Sequence, residues 1–242
     1  VIRLQDFSID TDVIVLSTPE IAGMPYVIAG LVAAGGLAAA LSTADGLLLA
    51  IANALSHDIY YKMLDPNAPT ARRLIIARIL LLSVAVGAAY TASTKPADIL
   101  SMVAWAFSLA AAGIFPGLVL GIWWKRANTP GCIVGMILGF GICLYYLVGT
   151  RYFAVSFYET WSWLSNASPA AIEKFNELKA AWMNATDEAA KQAAWVALDK
   201  HAQTIANWWG VRNISAALFG LPVGFLAIWI VSLLTAPPSK EV

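Results

Sequence analysis

Charge is what this sequence has least of. Only 12% of its 242 residues are Asp, Glu, Lys or Arg, against about a quarter in an ordinary globular chain. A chain folded in water must clothe itself in polar groups, yet 60% of these residues are hydrophobic and the mean hydropathy is +0.70. That excludes a soluble domain and leaves an integral membrane protein. Cysteine and histidine are scarce as well, at two each. Cys132 and Cys143 both lie in apolar runs, so neither a disulfide framework nor a zinc site is expected. Lys+Arg and Asp+Glu balance at 15 each, which leaves no basic footprint for nucleic acid. No nucleophile–base–orienter set, phosphate loop or metal-ligand cluster is present, so an enzyme is not expected. An initiator methionine and a signal peptide are missing too. The chain reads as an internal or C-terminal piece of a longer polypeptide.

Five runs reach the roughly 20 apolar residues that a bilayer demands: 26–56, 74–94, 98–123, 131–149 and 212–236. The first is too long for a bare span, so it is expected to tilt or to project beyond the hydrocarbon. Residues 1–25 are mixed, with Asp6, Asp10, Asp12 and Glu20 among short apolar stretches, and are expected to form an extracytoplasmic loop region. Lys62, Arg72, Arg73 and Arg78 surround the first connection, and Lys125 and Arg126 close the third span. The positive-inside rule then places the N-terminus outside and the 237–242 tail, with Lys240, in the cytoplasm. Residues 150–211 are richer in Ala, Glu, Lys, Asn and Trp. Ser168-Pro169 predicts a capped helix to about Asn184, and Thr186 a cap for a second helix to about Asn207. This hairpin is expected on the outer face, with Trp161, Trp163, Trp208 and Trp209 at the headgroups.

The first span carries the informative pattern. At about 100° per residue, Gly35, Ala39, Ser42, Thr43, Gly46, Ala50, Asn53 and His57 share one small and polar face. Ser42 and Thr43, with the Ala39 carbonyl one turn back, present three hard oxygens without formal charge, a set suited to Na⁺. The other reading is a pair of hydroxyls bonded back to their own helix. Asp45 is the only formal charge between Tyr26 and Ser56. Such an acid is a functional candidate by default: it binds a second cation, carries a proton, pairs with a base on another helix, or faces a watery vestibule. Gly113, Gly117 and Gly121 in the third span, and Gly131, Gly135 and Gly139 in the fourth, form rows for close helix packing. Trp105 and Ser108 either line a cavity or pack in a core.

Residues 40–62, ALSTADGLLLAIANALSHDIYYK, resemble the eighth core helix of the sodium:solute symporter family. Residues 117–139, GLVLGIWWKRANTPGCIVGMILG, resemble that family's junction of the tenth and eleventh helices. Residues 17–46 are similar to the cation:acetate symporters and to a neighbouring branch of solute:sodium symporters. The resemblance implies an all-α, LeuT-like inverted-repeat membrane fold in a bacterial inner membrane. It implies Na⁺ as coupling ion, held by the Ala39 carbonyl and the Ser42 and Thr43 hydroxyls, with Asp45 at a position tied in some relatives to an additional cation. It implies Trp105 and Ser108 near the substrate pocket, a small organic acid such as acetate as substrate, and a small two-helix partner subunit. The expected function is Na⁺-coupled uptake. A non-transporting membrane subunit and a symporter-like nutrient sensor remain as other readings.

Overall fold

The computed structural model describes residues 12–95 and 97–237. Asp6, Asp10 and Lys240 lie outside the described residues. Regular structure among the described residues is helical, apart from one isolated bridge between Ser165 and Trp208. Five helical stretches are long and apolar enough to cross a membrane: Tyr26–Leu64, Thr70–Ser93, Ile99–Trp123, Thr129–Tyr152 and Asn213–Leu234. Each coincides with an apolar run in the sequence. The chain divides into two units, one up to Leu100 and one from Ser101.

In the first unit, the stretch read as a loop region carries a two-turn helix, α1 (Ile14–Ile21). Gly23 ends it at φ +68°, a left-handed conformation that a Cβ would strain. The Gly23 N–H then reaches the Glu20 carbonyl at 3.0 Å and the Met24 N–H reaches Pro19 at 2.9 Å, the paired bonds of a Schellman stop. Pro25 follows and α2 (Tyr26–Asn53) begins. Leu16 of α1 lies on Gly36 of α2, so closely that a Cβ there would sit 2.8 Å from its Cδ2.

The first helical stretch is not α-helical throughout. After Asn53 the helix widens to π geometry over Ala54–Leu64. There each N–H looks back five residues instead of four. Side chains no longer advance about 100° per residue, so His57 cannot be assigned to the Ala39 face by counting. α3 (Thr70–Ser93) follows Pro69 and has no acid in its first turn, where Arg72 and Arg73 stand instead.

In the second unit, α4 (Ile99–Trp123), α5 (Thr129–Tyr152) and α9 (Ala217–Leu234) approach at small residues. A Cβ on Gly135 would lie 2.9 Å from the Gly224 carbonyl, and one on Gly220 would lie 2.6 Å from Ala112 Cβ. The row expected in α5 is therefore a contact face. The row expected in α4 is looser: nothing lies within 4 Å of a Cβ at Gly121, and at Gly117 the nearest atoms are 3.8 and 3.9 Å away. Ala112 and Pro116 make the close contacts of α4 instead. At one end of α5, buried Asn128 accepts the Gly131 N–H at 3.0 Å as an N-cap. Its amide donates to Thr235 Oγ1 at 2.6 Å and to the Ala236 carbonyl at 2.8 Å, tying α9 down.

Between α5 and α9 come α6 (Ala154–Trp161), α7 (Pro169–Asn184) and α8 (Glu188–Ile205). Ser168 caps α7 through the Ala171 N–H at 3.3 Å, as expected. The cap of α8 is Asp187, through the Ala190 N–H at 3.4 Å, and not Thr186. The carboxylate there also complements the helix dipole. Helices α7 and α8 pack on Phe175, Leu198, Ala202 and Ile205. Phe175 also holds Tyr158 of α6 at 4.7 Å between ring centroids, and that burial raises the Tyr158 phenol above its ordinary pKa. The fully buried Tyr146 closes the assembly. Its hydroxyl donates to the Val211 carbonyl and accepts the Trp208 N–H at 3.2 Å. In the turn that follows, Trp209 and Gly210 both have positive φ, +49° and +77°.

Two predictions follow from this packing. Asn128→Ala removes a cap and two partly buried hydrogen bonds and should cost about 2 kcal/mol, read as a lower unfolding temperature in detergent. Gly135→Ala should destabilise the protein far more than Gly117→Ala, because only the first forces α5 and α9 apart. Equal unfolding temperatures for the two glycine variants would show that the helix contact is not limiting.

Candidate functional site

The site is built on α2. Ala39, Ser42, Thr43 and Asp45 fall near the middle of the 39-residue stretch Tyr26–Leu64. All four are exposed, and so is the small face around them: a Cβ at Gly35 or Gly46 would meet nothing within 4 Å. The hydroxyl of Thr43 donates to the Ala39 carbonyl at 3.2 Å, which brings two of the three expected oxygens together.

Comparison with other hydroxyls is instructive. Ser17, Thr18, Ser83, Thr91, Thr150, Thr160 and Thr235 all bond back to the carbonyl four residues earlier, at 2.6–2.9 Å. The Thr43 bond is longer than any of these. Ser42, its neighbour, makes no hydrogen bond among the described residues. A polar group left unpaired at mid-span is costly. The hydroxyl pair of α2 is therefore incompletely satisfied, on the turn singled out by the sequence. Two hydroxyl oxygens and a carbonyl oxygen with a spare lone pair can serve a small hard cation.

Asp45 lies on the next part of the helix surface and forms no hydrogen bond or ion pair among the described residues. His57 and Asp58 do touch, at 3.2 Å from Nδ1 to Oδ1, but Asp58 also takes Lys62 Nζ at 3.1 Å. That makes an exposed ion-paired cluster and leaves no positioned base for chemistry.

Trp105 and Ser108 belong to the second unit. The Ser108 hydroxyl, in a residue only 6% exposed, donates to the Ile214 carbonyl at 3.1 Å and so links α4 to the turn before α9. Trp105 packs at the edge of the core, with a buried indole N–H that has no partner. The Arg151 guanidinium lies 6.0 Å from the centre of its ring. Arg151 was not singled out by sequence; the available signal was a base closing an otherwise apolar span.

A profile of the sodium:solute symporter family matches residues 14–139. An uncharacterized symporter of Cupriavidus necator is 42% identical over 97% of this chain. A sodium/proline symporter of Haemophilus influenzae is 29% identical over 46% of it, and a high-affinity proline transporter of Bacillus subtilis 31% identical over 47%. The chain spans 28% of the length of the first relative and 22% and 24% of the other two. No solved structure matches it. With a family profile covering half of the chain and a relative matched across nearly all of it, this integral membrane protein belongs to the sodium:solute symporter family.

Proposed function

We propose that the chain is the C-terminal part of a secondary transporter that couples Na⁺ entry to uptake of a small organic solute. Its helices would form part of a LeuT-like inverted-repeat fold, with α7 and α8 as a hairpin on the extracytoplasmic side. The observation that carries the reading is the incompletely satisfied turn of α2: Ser42 unbonded, and Thr43 held at 3.2 Å from the Ala39 carbonyl. In this proposal the three oxygens form one side of a Na⁺ shell. Carbonyls from an unwound helix elsewhere in the transporter complete it. Asp45 adds to cation coupling by binding a second ion or a proton.

The substrate is proposed as a small solute bearing a carboxylate. The likeness of residues 17–46 to cation:acetate symporters favours a monocarboxylate such as acetate. Five of the matched relatives are named for proline, which also presents a carboxylate. Na⁺ drives uptake only insofar as it binds the substrate-accepting, outward-facing state more tightly than the inward-facing one. Trp105, with its unpartnered N–H beside Arg151, is the better of the two pocket candidates, since the Ser108 hydroxyl is engaged with Ile214.

Thr43→Val keeps side-chain shape and deletes one oxygen. In the intact transporter it should raise the Na⁺ concentration for half-maximal uptake about tenfold, ~1.4 kcal/mol. Apparent substrate affinity should fall at low Na⁺ and recover at high Na⁺, because the coupling is reciprocal. Unchanged sodium dependence in both Thr43→Val and Ser42→Ala, with folded protein, would reduce the pair to local helix bonding. Asp45→Asn should alter either ion stoichiometry or the pH dependence of uptake. For topology, cysteines introduced at Glu177 and at Asn67 should react with impermeant reagents from opposite sides of the membrane. Reaction of both from outside would refute the five-span orientation.

A further inference from the structure

The hairpin of α7 and α8 changes character toward its turn. Residues three or four apart share one face of a helix. The face of α8 that buries Leu198 and Ala202 continues toward the turn as Trp195, Lys191 and Glu188. On α7 the stripe of Phe175 and Leu178 continues to Trp182. Apolar side chains at the ends of both stripes would close them on each other. Instead a cleft of about 370 Å³ opens, lined by Trp182, Glu188, Lys191, Gln192 and Trp195. The two indoles are packed together, with ring centroids 5.2 Å apart and planes inclined at 52°. Trp195 is 36% exposed. Glu188 and Lys191 are exposed and stand three residues apart, yet their side chains form no ion pair or hydrogen bond among the described residues.

These groups suit the two ends of one kind of solute. The faces of tryptophan attract a cation more strongly than those of the other aromatic side chains. Glu188 supplies the opposite charge for the same cation. Lys191 is a compact donor of three hydrogen bonds, suited to a carboxylate. Gln192 both donates and accepts, so it serves either end. A simple cation would meet the repulsion of Lys191. A simple anion would meet that of Glu188 and make no use of the indole faces. A sugar ring stacks on one flat aromatic face, and planes inclined at 52° offer no common platform. We infer that the cleft binds a compact soluble zwitterion, with an ammonium or quaternary nitrogen a few bonds from a carboxylate. Its nitrogen lies against Trp182 and Trp195 on the Glu188 side, and its carboxylate meets Lys191. The cleft is built wholly on α7 and α8, which are too polar to cross a membrane, so the inference rests neither on the oxygens of α2 nor on the transport reading.

The test is ligand-detected saturation-transfer NMR on the intact transporter in phosphatidylglycerol nanodiscs, in potassium buffer without Na⁺. Glycine betaine is the probe. It should bind saturably, and more tightly than choline, which lacks the carboxylate, or acetate, which lacks the nitrogen. Methyl glucoside should not compete. Trp195→Leu should weaken betaine binding about fivefold, and Glu188→Gln and Lys191→Gln about threefold each. Lys200→Gln, on α8 outside the cleft, should leave it unchanged. Where Trp195→Leu does not fold, the two exposed charge variants carry the test. Absence of saturable binding to the unaltered protein, or wild-type affinity in all three cleft variants, would overturn the proposal. Competition by methyl glucoside would overturn it in favour of a carbohydrate site. Loss of betaine binding in discs containing phosphatidylethanolamine would overturn the soluble source in favour of a zwitterionic lipid headgroup. Because the buffer holds no Na⁺, failure here and failure of sodium-coupled uptake are separate results.

Discussion

Backbone-to-backbone approach between α5 and α9 is the contact on which the second unit depends. Lipid tails are as apolar as leucine, so helices in a bilayer gain little by hiding leucines from it. They associate where small residues let main chains come close. Gly131, Gly135 and Gly139 on α5 meet Gly220, Gly224, Ile228 and Ser232 on α9, and Ala112 and Pro116 of α4 reach the same region. Asn128 then locks one end, by capping α5 and holding the Thr235–Ala236 segment with the same side chain. Tyr146 sits far along α5 from that lock and performs the corresponding task for the segment after α8.

The segment between α5 and α9 obeys a different rule. Its helices α7 and α8 are too polar to cross a membrane, and they bury a narrow stripe: Phe175, Leu198, Ala202 and Ile205. Here burial itself is the driving force, at about 1.5–3 kcal/mol for each large apolar side chain. Aromatic rings join the two regimes. Phe157 of α6 packs its ring against Gly149 of α5, and Trp208 stacks on that ring at 5.6 Å. A Cβ at Gly149 would come within 2.7 Å of the Phe157 ring, so this glycine is what admits the aromatic layer.

The spans were legible because hydropathy is a sum, and a sum over about 20 residues survives local irregularity. What a sum discards was not legible. The π widening after Asn53 leaves composition unchanged and depends on which carbonyl each N–H selects, so counting at about 100° per residue stops being a guide there. Helix α1 contains Pro19 in a stretch of mixed composition. Helix α6 continues directly from an apolar span, with only Phe153 between them. The second cap fell one residue from its expected place because Thr186 and Asp187 are both capping residues, and only geometry chooses between them. The glycine rows were visible, but not which row was tight. The matching spacing of Gly220 and Gly224 in α9 could have been read and was passed over.

At the candidate site the sequence supplied the residues and the structure supplied their state. A hydroxyl on a membrane helix has a ready partner in the carbonyl four residues back, and Ser83, Thr91 and Thr150 take it. That default makes a serine that declines it informative. Ser42 is unbonded at mid-span and Thr43 is loosely bonded, on a face where neighbouring residues are too small to fill space. Full pairing would tie up each hydroxyl proton and fix the oxygen lone pairs away from any ion. Complete absence of partners would make the turn expensive to insert. A turn poised between the two keeps oxygens available while limiting that cost. This is the condition for a cation site that must bind from one side of the membrane and release to the other.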